Sequence, residues 1–223
     1  DIFRLSKFSL SFFRTQIAEG SMLPSGKMPY EVFIPAYRDE ILSDTVMVYG
    51  NVDEVELVLN GKTIRRQTAD KGPDSDYIPV PNGGNGKNLH FPPFTFYGVP
   101  KERGVLKAVG YHQGKKVAEY TVKTPGVPER LDITYFESGK PATKNDLLIV
   151  YVRMLDKQGV LCPVNGIPVE LSVQGGEIVG PTSYPLEAGV ASFLVRTGEI
   201  SKININATGK GFSTRKSLKV GKE

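Results

Sequence analysis

Residues 54–61 constrain the fold more tightly than any other stretch of the sequence. Acidic and aliphatic side chains alternate along residues 54–57, aliphatic ones continue to Leu59, and Asn60 and Gly61 follow at once. A period of two places alternate side chains on one face of a β-strand, and Asn-Gly supplies the positive φ angles of a two-residue hairpin turn. The segment therefore predicts a half-buried strand that ends in a β-hairpin.

The same pattern recurs along the chain from Met28 onward. Alternating segments are separated by turn residues, and Gln113–Gly114 predicts a second hairpin. Residues 147–152 are almost all apolar, which is typical of a strand covered on both sides. The sequence thus predicts an all-β protein, with strands at 32–36, 45–49, 55–59, 63–68, 94–97, 105–111, 116–123, 131–136, 147–155, 169–173, 190–195, 203–208 and 213–220.

The length of the chain predicts two domains. Immunoglobulin-like sandwiches have about 100 residues each, and this chain has 223. Two prolines within residues 124–128 favour an extended linker. The single cysteine, Cys162, cannot form a disulfide within the chain. We expect a helix and connector at 1–27, an immunoglobulin-like β-sandwich at 28–124, a linker at 125–128 and a second sandwich at 129–223.

One short α-helix is predicted ahead of the strands. Over residues 6–18, apolar side chains recur every three or four positions, and Ser6 is a suitable N-cap. An isolated helix of this length is marginal in water, so its aromatic face needs a partner surface. That surface is either the following sandwich or a domain ahead of this chain. We expect the helix to stay folded by burying Phe8 and Phe12 against the first sandwich or a neighbouring copy.

Charge and hydropathy argue against two classes of partner. The net charge of +4 is spread over 28 basic and 24 acidic residues, without the basic stripe that binding to a phosphate backbone requires. No apolar run reaches the roughly 20 residues that span a bilayer. We therefore expect neither nucleic-acid binding nor a membrane span.

A start at Asp1, without methionine, leads us to expect a processed or excised product.

Two groups of ionisable residues are poor candidates for catalysis. Asp53, Glu54 and Glu56 are close together, but the two glutamates point to one solvated face of a strand. His90 and His112 are far apart in sequence, and neither has a second ligand at metal-binding spacing. We expect no catalytic residue among them.

Residues 70–93 contain candidates for ligand binding. Asp70, Asp74 and Asp76 offer oxygen ligands for a cation such as Ca²⁺, although their spacing is not that of an EF-hand and Lys71 opposes a cation. Gly83–Lys87 resembles a phosphate-binding loop but lacks the flanking strand and the Ser or Thr. We expect no cofactor, and a metal site at the three aspartates stays a weak candidate.

Aromatic side chains near the same segment are candidates for carbohydrate binding, because aromatic rings stack on sugar rings. The absence of tryptophan weakens this interpretation. Two prolines followed by Phe94 and Phe96 are equally typical of an edge strand that closes the core. Both interpretations stay open. The carbohydrate-binding candidates are Tyr77, His90 and Phe91.

Several motifs together resemble the C-terminal region of glycoside hydrolase family 2 enzymes of the β-galactosidase type, particularly those of gut bacteria. Residues 1–9 are similar to the last helix of that family's (β/α)₈ catalytic barrel, with Ser6 in place of the usual proline. Residues 48–62 and 104–111 are similar to the first sandwich after the barrel. Residues 168–173, 175–180 and 187–191 resemble an invasin-type bacterial immunoglobulin-like domain.

The resemblance implies that the family's two catalytic glutamates lie in the barrel, so that no residue of this chain inherits a catalytic role. The longer protein would hydrolyse a terminal β-linked sugar with retention. This chain would be a non-catalytic accessory region that contacts the barrel through Phe8, Phe12 and Phe13. We also expect a periplasmic, secreted or cell-surface location.

Two other functions stay open at this point. One is a carbohydrate-binding module that uses the segment from Asp70 to Pro93. The other is a surface adhesion or protein-interaction module, which the invasin-like second half favours. Adhesins usually carry longer arrays of such domains and no barrel-derived helix.

Overall fold

The computed structural model describes residues 4–36, 43–70, 89–136, 141–199 and 201–221. These residues form one helix, α1 (Phe8–Thr15), and otherwise strands and turns. The prediction of an all-β protein with two immunoglobulin-like β-sandwiches and one short helix is confirmed. The chain divides into two compact units. The first unit comprises residues 6–124, and the second begins at Pro125 and also includes Arg4 and Leu5.

The first unit is a sandwich of two antiparallel sheets with a small hairpin beside them. One sheet has the strand order β3-β4-β7 and the other has the order β6-β5-β8-β9, while β1 and β2 pair only with each other. The strands are β1 (Met22–Leu23), β2 (Gly26–Lys27), β3 (Val32–Phe33), β4 (Val46–Gly50), β5 (Glu54–Leu59), β6 (Lys62–Thr68), β7 (Phe94–Phe96), β8 (Val105–His112) and β9 (Lys115–Lys123).

Strand β5 and its turn have the predicted structure. Val55 and Leu57 are fully buried, whereas Glu54 and Glu56 are only partly buried. At the turn, φ is 50° at Asn60 and 80° at Gly61, as a two-residue hairpin with two left-handed residues requires. The alternation of the sequence therefore decided which face of the strand enters the core.

Two glycines allow strand β3 to approach the rest of the first sandwich. A β-carbon at Gly110 would lie 2.8 Å from a methyl carbon of Val32, and one at Gly50 would lie 2.9 Å from the same atom. Both distances are shorter than side-chain carbon atoms tolerate. The core below contains large fully buried side chains, among them Phe94, Phe96 and Leu106.

The second unit is also a two-sheet sandwich. Its sheets have the orders β10-β11-β15-β13 and β14-β12-β16-β17. The strands are β10 (Arg130–Tyr135), β11 (Leu147–Leu155), β12 (Pro168–Gln174), β13 (Gly176–Ile178), β14 (Ser183–Pro185), β15 (Val190–Thr197), β16 (Lys202–Gly209) and β17 (Phe212–Lys219).

Strand β11 lies in the middle of its sheet, between β10 and β15. Val150 and Val152 are fully buried and Tyr151, on the opposite face, is 8% exposed, so this part of the strand is covered on both sides as its apolar sequence predicts. Leu147 at its start is 50% exposed. Cys162 is buried in the same core, and burial raises the pKa of its thiol.

The boundaries of the helix differ from the prediction. It was expected over residues 6–18 with Ser6 as the N-cap, but α1 begins at Phe8, and Lys7 is the N-cap residue without a side-chain cap. The reason is tertiary: Phe8 and Arg14 have partners on the sandwich, and the chain after Thr15 leaves the helix to hydrogen-bond with the first unit. The expectation of Ser6 as N-cap was wrong.

Candidate functional site

Helix α1 packs on the first sandwich through two of its aromatic side chains. The Phe8 and Phe33 rings meet edge to face with 5.5 Å between centroids, and the Phe12 and Tyr49 rings meet with 4.9 Å between centroids. Phe33 in turn contacts Tyr120. Edge-to-face pairs of this kind add about 0.5–1.5 kcal/mol each beyond the area that they bury. The expectation that Phe8 and Phe12 lie against the first sandwich therefore agrees with these contacts.

An ion pair fixes the other end of the helix. Nε of Arg14 donates to both carboxylate oxygens of Glu31 at 3.0 Å, and an η nitrogen contacts the same carboxylate. The hydrogen bond to Glu31 raises the pKa of Arg14. Glu31 directly precedes strand β3, so this pair ties the last turn of α1 to the edge of the sheet.

The side chain of Asn51 holds the connector, residues 16–31, on the sandwich. Its Nδ2 donates to the carbonyl oxygens of Ile17 and Pro29, each at 3.0 Å. Its Oδ1 accepts from the backbone N–H of Glu31 at 2.6 Å. Asn51 is 3% exposed, so these backbone groups would lose their partners without it.

Gln16 joins the end of the helix to the segment before β7. Its side-chain amide donates to the carbonyl oxygen of Phe91 at 3.0 Å and accepts from the Phe91 N–H at 3.1 Å. Phe91 is half-buried, and the exposed His90 contacts it edge to face with an interplanar angle of 84°. Of the three carbohydrate-binding candidates, His90 and Phe91 are therefore adjacent, and Tyr77 lies outside the described residues.

The opposite side of α1 is exposed and apolar. Leu10 is 51% exposed and Phe13 is 64% exposed. They are three residues apart and so lie on one face of the helix. Met22, in the β1–β2 hairpin that follows, is 74% exposed. Of Phe8, Phe12 and Phe13, which were predicted to contact another domain, Phe13 is the most exposed, whereas Phe8 and Phe12 are partly buried.

The acidic group around β5 is engaged within its own sheet. Asp53 accepts from the Gln113 N–H at 2.8 Å, which is the main cause of its lowered pKa. Glu56 accepts from the hydroxyls of Thr63 and Tyr111, in that order of importance, and its pKa is also lowered. A general acid needs a raised pKa to keep its proton near neutral pH, so neither Asp53 nor Glu56 is suited to act as a general acid.

The carboxylate of Asp70 already has partners. It accepts from the backbone N–H of Thr95 at 3.1 Å and from its hydroxyl at 2.5 Å. Asp74 and Asp76, the other two cation candidates, lie outside the described residues. Within the described part of the chain, no three His, Cys, Asp or Glu side chains are grouped as metal ligands. No described helix has the length and apolar character to cross a membrane.

Asn51 and Gln16 were not identified from the sequence. Asn51 lies between two strands, where asparagine is common for its turn preference, and Gln16 follows a helix as any polar residue could. Both act by hydrogen bonds to backbone groups that are distant in sequence, which leaves no local pattern. Gly50, next to Asn51, was a signal in the sequence that another segment of backbone packs closely at this point; in the structure that segment is Glu31 and Val32.

Comparisons with known proteins give matches across this chain. A model described as "Domain of unknown function (DUF4982)" matches residues 43–118. A β-galactosidase of Thermoanaerobacter pseudethanolicus is 30% identical over 209 residues, which cover 88% of this chain and 26% of that protein. A β-galactosidase sequence of Rhizobium radiobacter is 30% identical over 129 residues, which cover 57% of this chain and 92% of that sequence.

A solved structure also matches this chain over part of its length. The glycosyl hydrolase family 2 member from Bacteroides cellulosilyticus matches with a TM-score of 0.61 at 25% identity. The match covers 78% of this chain and 24% of that one. The chain thus spans about a quarter of this protein and of the Thermoanaerobacter relative.

Proposed function

Since this chain belongs to glycoside hydrolase family 2, in the C-terminal region of its members, we propose that it is a non-catalytic accessory region that supports a catalytic domain. The longer protein would hydrolyse O-glycosidic bonds, as the β-galactosidases that match it do by name. The second sandwich as an invasin-type domain, and an extracytoplasmic location, stay predictions.

One observation carries this proposal: the chain matches only a quarter of the length of its long relatives. A region of that size can be aligned over 88% of its own length and leave most of the relative unmatched.

The exposed face of α1 is the surface that we assign to the catalytic domain. Leu10 and Phe13 project from a helix whose other face is held by Phe8, Phe12 and the Arg14–Glu31 pair. A helix whose backbone is already fixed on one side loses less conformational entropy when its other side binds a partner. The occupant is the catalytic domain of the same longer protein.

The first test is an activity assay of this chain. Purified protein should not hydrolyse aryl β-galactosides or aryl β-glucuronides. Turnover that co-purifies with the chain would refute a non-catalytic role.

The second test concerns the parent gene. Its coding sequence ahead of Asp1 should encode a glycosidase domain. In that longer protein, Phe13→Asp should weaken the contact with the catalytic domain, read as faster hydrogen exchange in α1, while Met22→Asp is a matched exposed control. A gene without such a domain would refute the proposal.

A further inference from the structure

A cleft of about 430 Å³ lies at one end of the second sandwich. It is where strand β11 begins, strand β15 ends and strand β13 starts. Its volume falls within the roughly 300–1,000 Å³ of small-molecule sites. The lining residues are Asn145, Gly176, Glu177, Arg196, Thr197 and Gly198.

The inner wall of this cleft is held firmly in place. Thr197 is 1% exposed, and its hydroxyl donates to the carbonyl oxygen of Thr143 at 2.6 Å and accepts from the Asp146 N–H at 2.8 Å. Gly198 donates its N–H to the carbonyl oxygen of Gly175 at 2.9 Å. A β-carbon at Gly198 would lie 2.5 Å from that oxygen, so the backbone here is closely packed. The backbone that carries the polar side chains of the cleft is therefore held in one position.

The charged side chains in and beside the cleft are two cations and two carboxylates, and each is already paired. Arg196 forms an ion pair with Glu177. Glu199, next to the cleft, accepts from the side-chain amide of Asn145 at 2.7 Å and pairs with Lys144 at 3.3 Å. Two cations thus meet two carboxylates. An anion would have to compete with Glu177 for Arg196, whereas a neutral ligand can add hydrogen bonds to the pair that exists.

We propose that this cleft binds a neutral carbohydrate. A hydroxyl group both donates and accepts hydrogen bonds, so two adjacent hydroxyls can donate to the carboxylate of Glu177 and accept from the guanidinium of Arg196. Leu147 pairs with Arg196 in the sheet register and is 50% exposed. Leu147 is not one of the lining residues, but it lies beside Arg196 and offers apolar surface to the C–H groups of a sugar ring that extends past the cleft. The site lies in the second unit and does not depend on the supporting role of α1.

The test is an NMR titration of the chain with methyl β-D-galactopyranoside and methyl β-D-glucopyranoside, with D-glucuronate as the anionic comparison. A small ligand with few polar contacts should bind with a dissociation constant on the order of 1 mM. Saturable amide shifts are expected at residues 144–147, 176–177 and 196–198 with at least one neutral sugar. Glucuronate should bind more weakly.

Variant Glu177→Gln separates the site from nonspecific contact. The substitution removes the negative charge of a side chain that is 61% exposed, so the fold is retained. Because the ligand hydroxyl then donates to a neutral amide oxygen and not to a carboxylate, affinity should fall about tenfold. The matched control is Glu170→Gln at an exposed position of strand β12, which should leave affinity unchanged. The proposal is overturned by the absence of saturable shifts up to about 100 mM, roughly a hundredfold above the expected constant. It is also overturned by equal effects of the two variants, or by tighter binding of glucuronate.

Discussion

Replacement of Asn51 by alanine should release the helix connector from the first sandwich. The side chain of Asn51 makes three hydrogen bonds, to Ile17, Pro29 and Glu31, from a position that is 3% exposed. Alanine removes all three at once and adds no new contact. The variant therefore tests whether α1 is an integral part of the first unit.

The expected cost follows from those three bonds. Each hydrogen bond contributes about 1 kcal/mol net, so Asn51→Ala should lower the free energy of unfolding of the first unit by about 3 kcal/mol. In a domain of about 100 residues, 1 kcal/mol shifts Tm by about 4–8 °C. The melting temperature of the first unit should therefore fall by at least about 10 °C.

Asn51→Asp separates this account from a simple turn preference. Aspartate keeps the acceptor for the Glu31 N–H but turns a carboxylate oxygen toward the carbonyl oxygens of Ile17 and Pro29. Asn51→Asp should therefore be at least as destabilising as Asn51→Ala at pH 7. If Asn51 served only as a turn residue, aspartate would be tolerated, because it favours the same turns.

The assay is urea unfolding followed by resolved amide NMR signals, so that each unit is read separately. Hydrogen exchange of residues 8–15 should be protected in the unchanged chain and fast in Asn51→Ala. The control is Asn206→Ala, at a partly buried position on strand β16 in the second unit, with an expected effect within about 0.5 kcal/mol. A cost for Asn51→Ala no larger than this control would refute the reasoning.

Three further predictions concern the first unit. Phe12→Ala should lower its free energy of unfolding by about 1–2 kcal/mol, because a half-buried ring loses its contacts with both Tyr49 and Phe13. Phe13→Ala should cost less, about 0.5 kcal/mol, because that ring is 64% exposed and loses only its edge-to-face contact with Phe12; equal costs in urea unfolding would contradict the observed orientation of α1. Gly110→Ala should lower the free energy of unfolding by about 1–3 kcal/mol, because the new β-carbon would lie 2.8 Å from a methyl carbon of Val32 in β3. Gly221→Ala is the near-neutral control in thermal unfolding, since its β-carbon would have no neighbouring atom closer than 3.5 Å. Hydrogen bonds from two hydroxyls lower the pKa of Glu56 below 4.5 in the folded state, so its stabilising contribution is present above about pH 4.5 and is lost as the pH falls through the folded pKa. Glu56→Gln should therefore flatten the decline of stability in acid, and an unchanged acid limb would count against these bonds.

Local patterns predicted most of the strands and the turns between them. The alternation in β5 identified its buried face, and Asn60–Gly61 identified the turn that follows. Strands β1, β2, β13 and β14 were not predicted, because segments of two or three residues rarely show a period of two; β7, equally short, was predicted from its two phenylalanines. The ends of α1 were also predicted wrongly, since they depend on contacts with the sandwich.

The candidate surface was predicted in part. Phe8, Phe12 and Phe13 were identified from helical spacing, but spacing could not decide which of them face the chain's own sandwich. The positions of Phe33 and Tyr49 decided that Phe8 and Phe12 point inward, which left Phe13 exposed. The polar cleft of the second unit was not predicted, because Asn145, Glu177 and Arg196 come from separate parts of the chain.

By itself the sequence determined the all-β architecture, the strand faces and the hairpins, because these follow from neighbouring side chains and from backbone preferences of a few residues. The tertiary structure alone decided how α1 is held. Gln16 and Phe91 are 75 positions apart, and Asn51 reaches Ile17 over 34. A side-chain amide can bond to any backbone group that the fold brings within about 3 Å, so its partner is set by the packing of the sandwich.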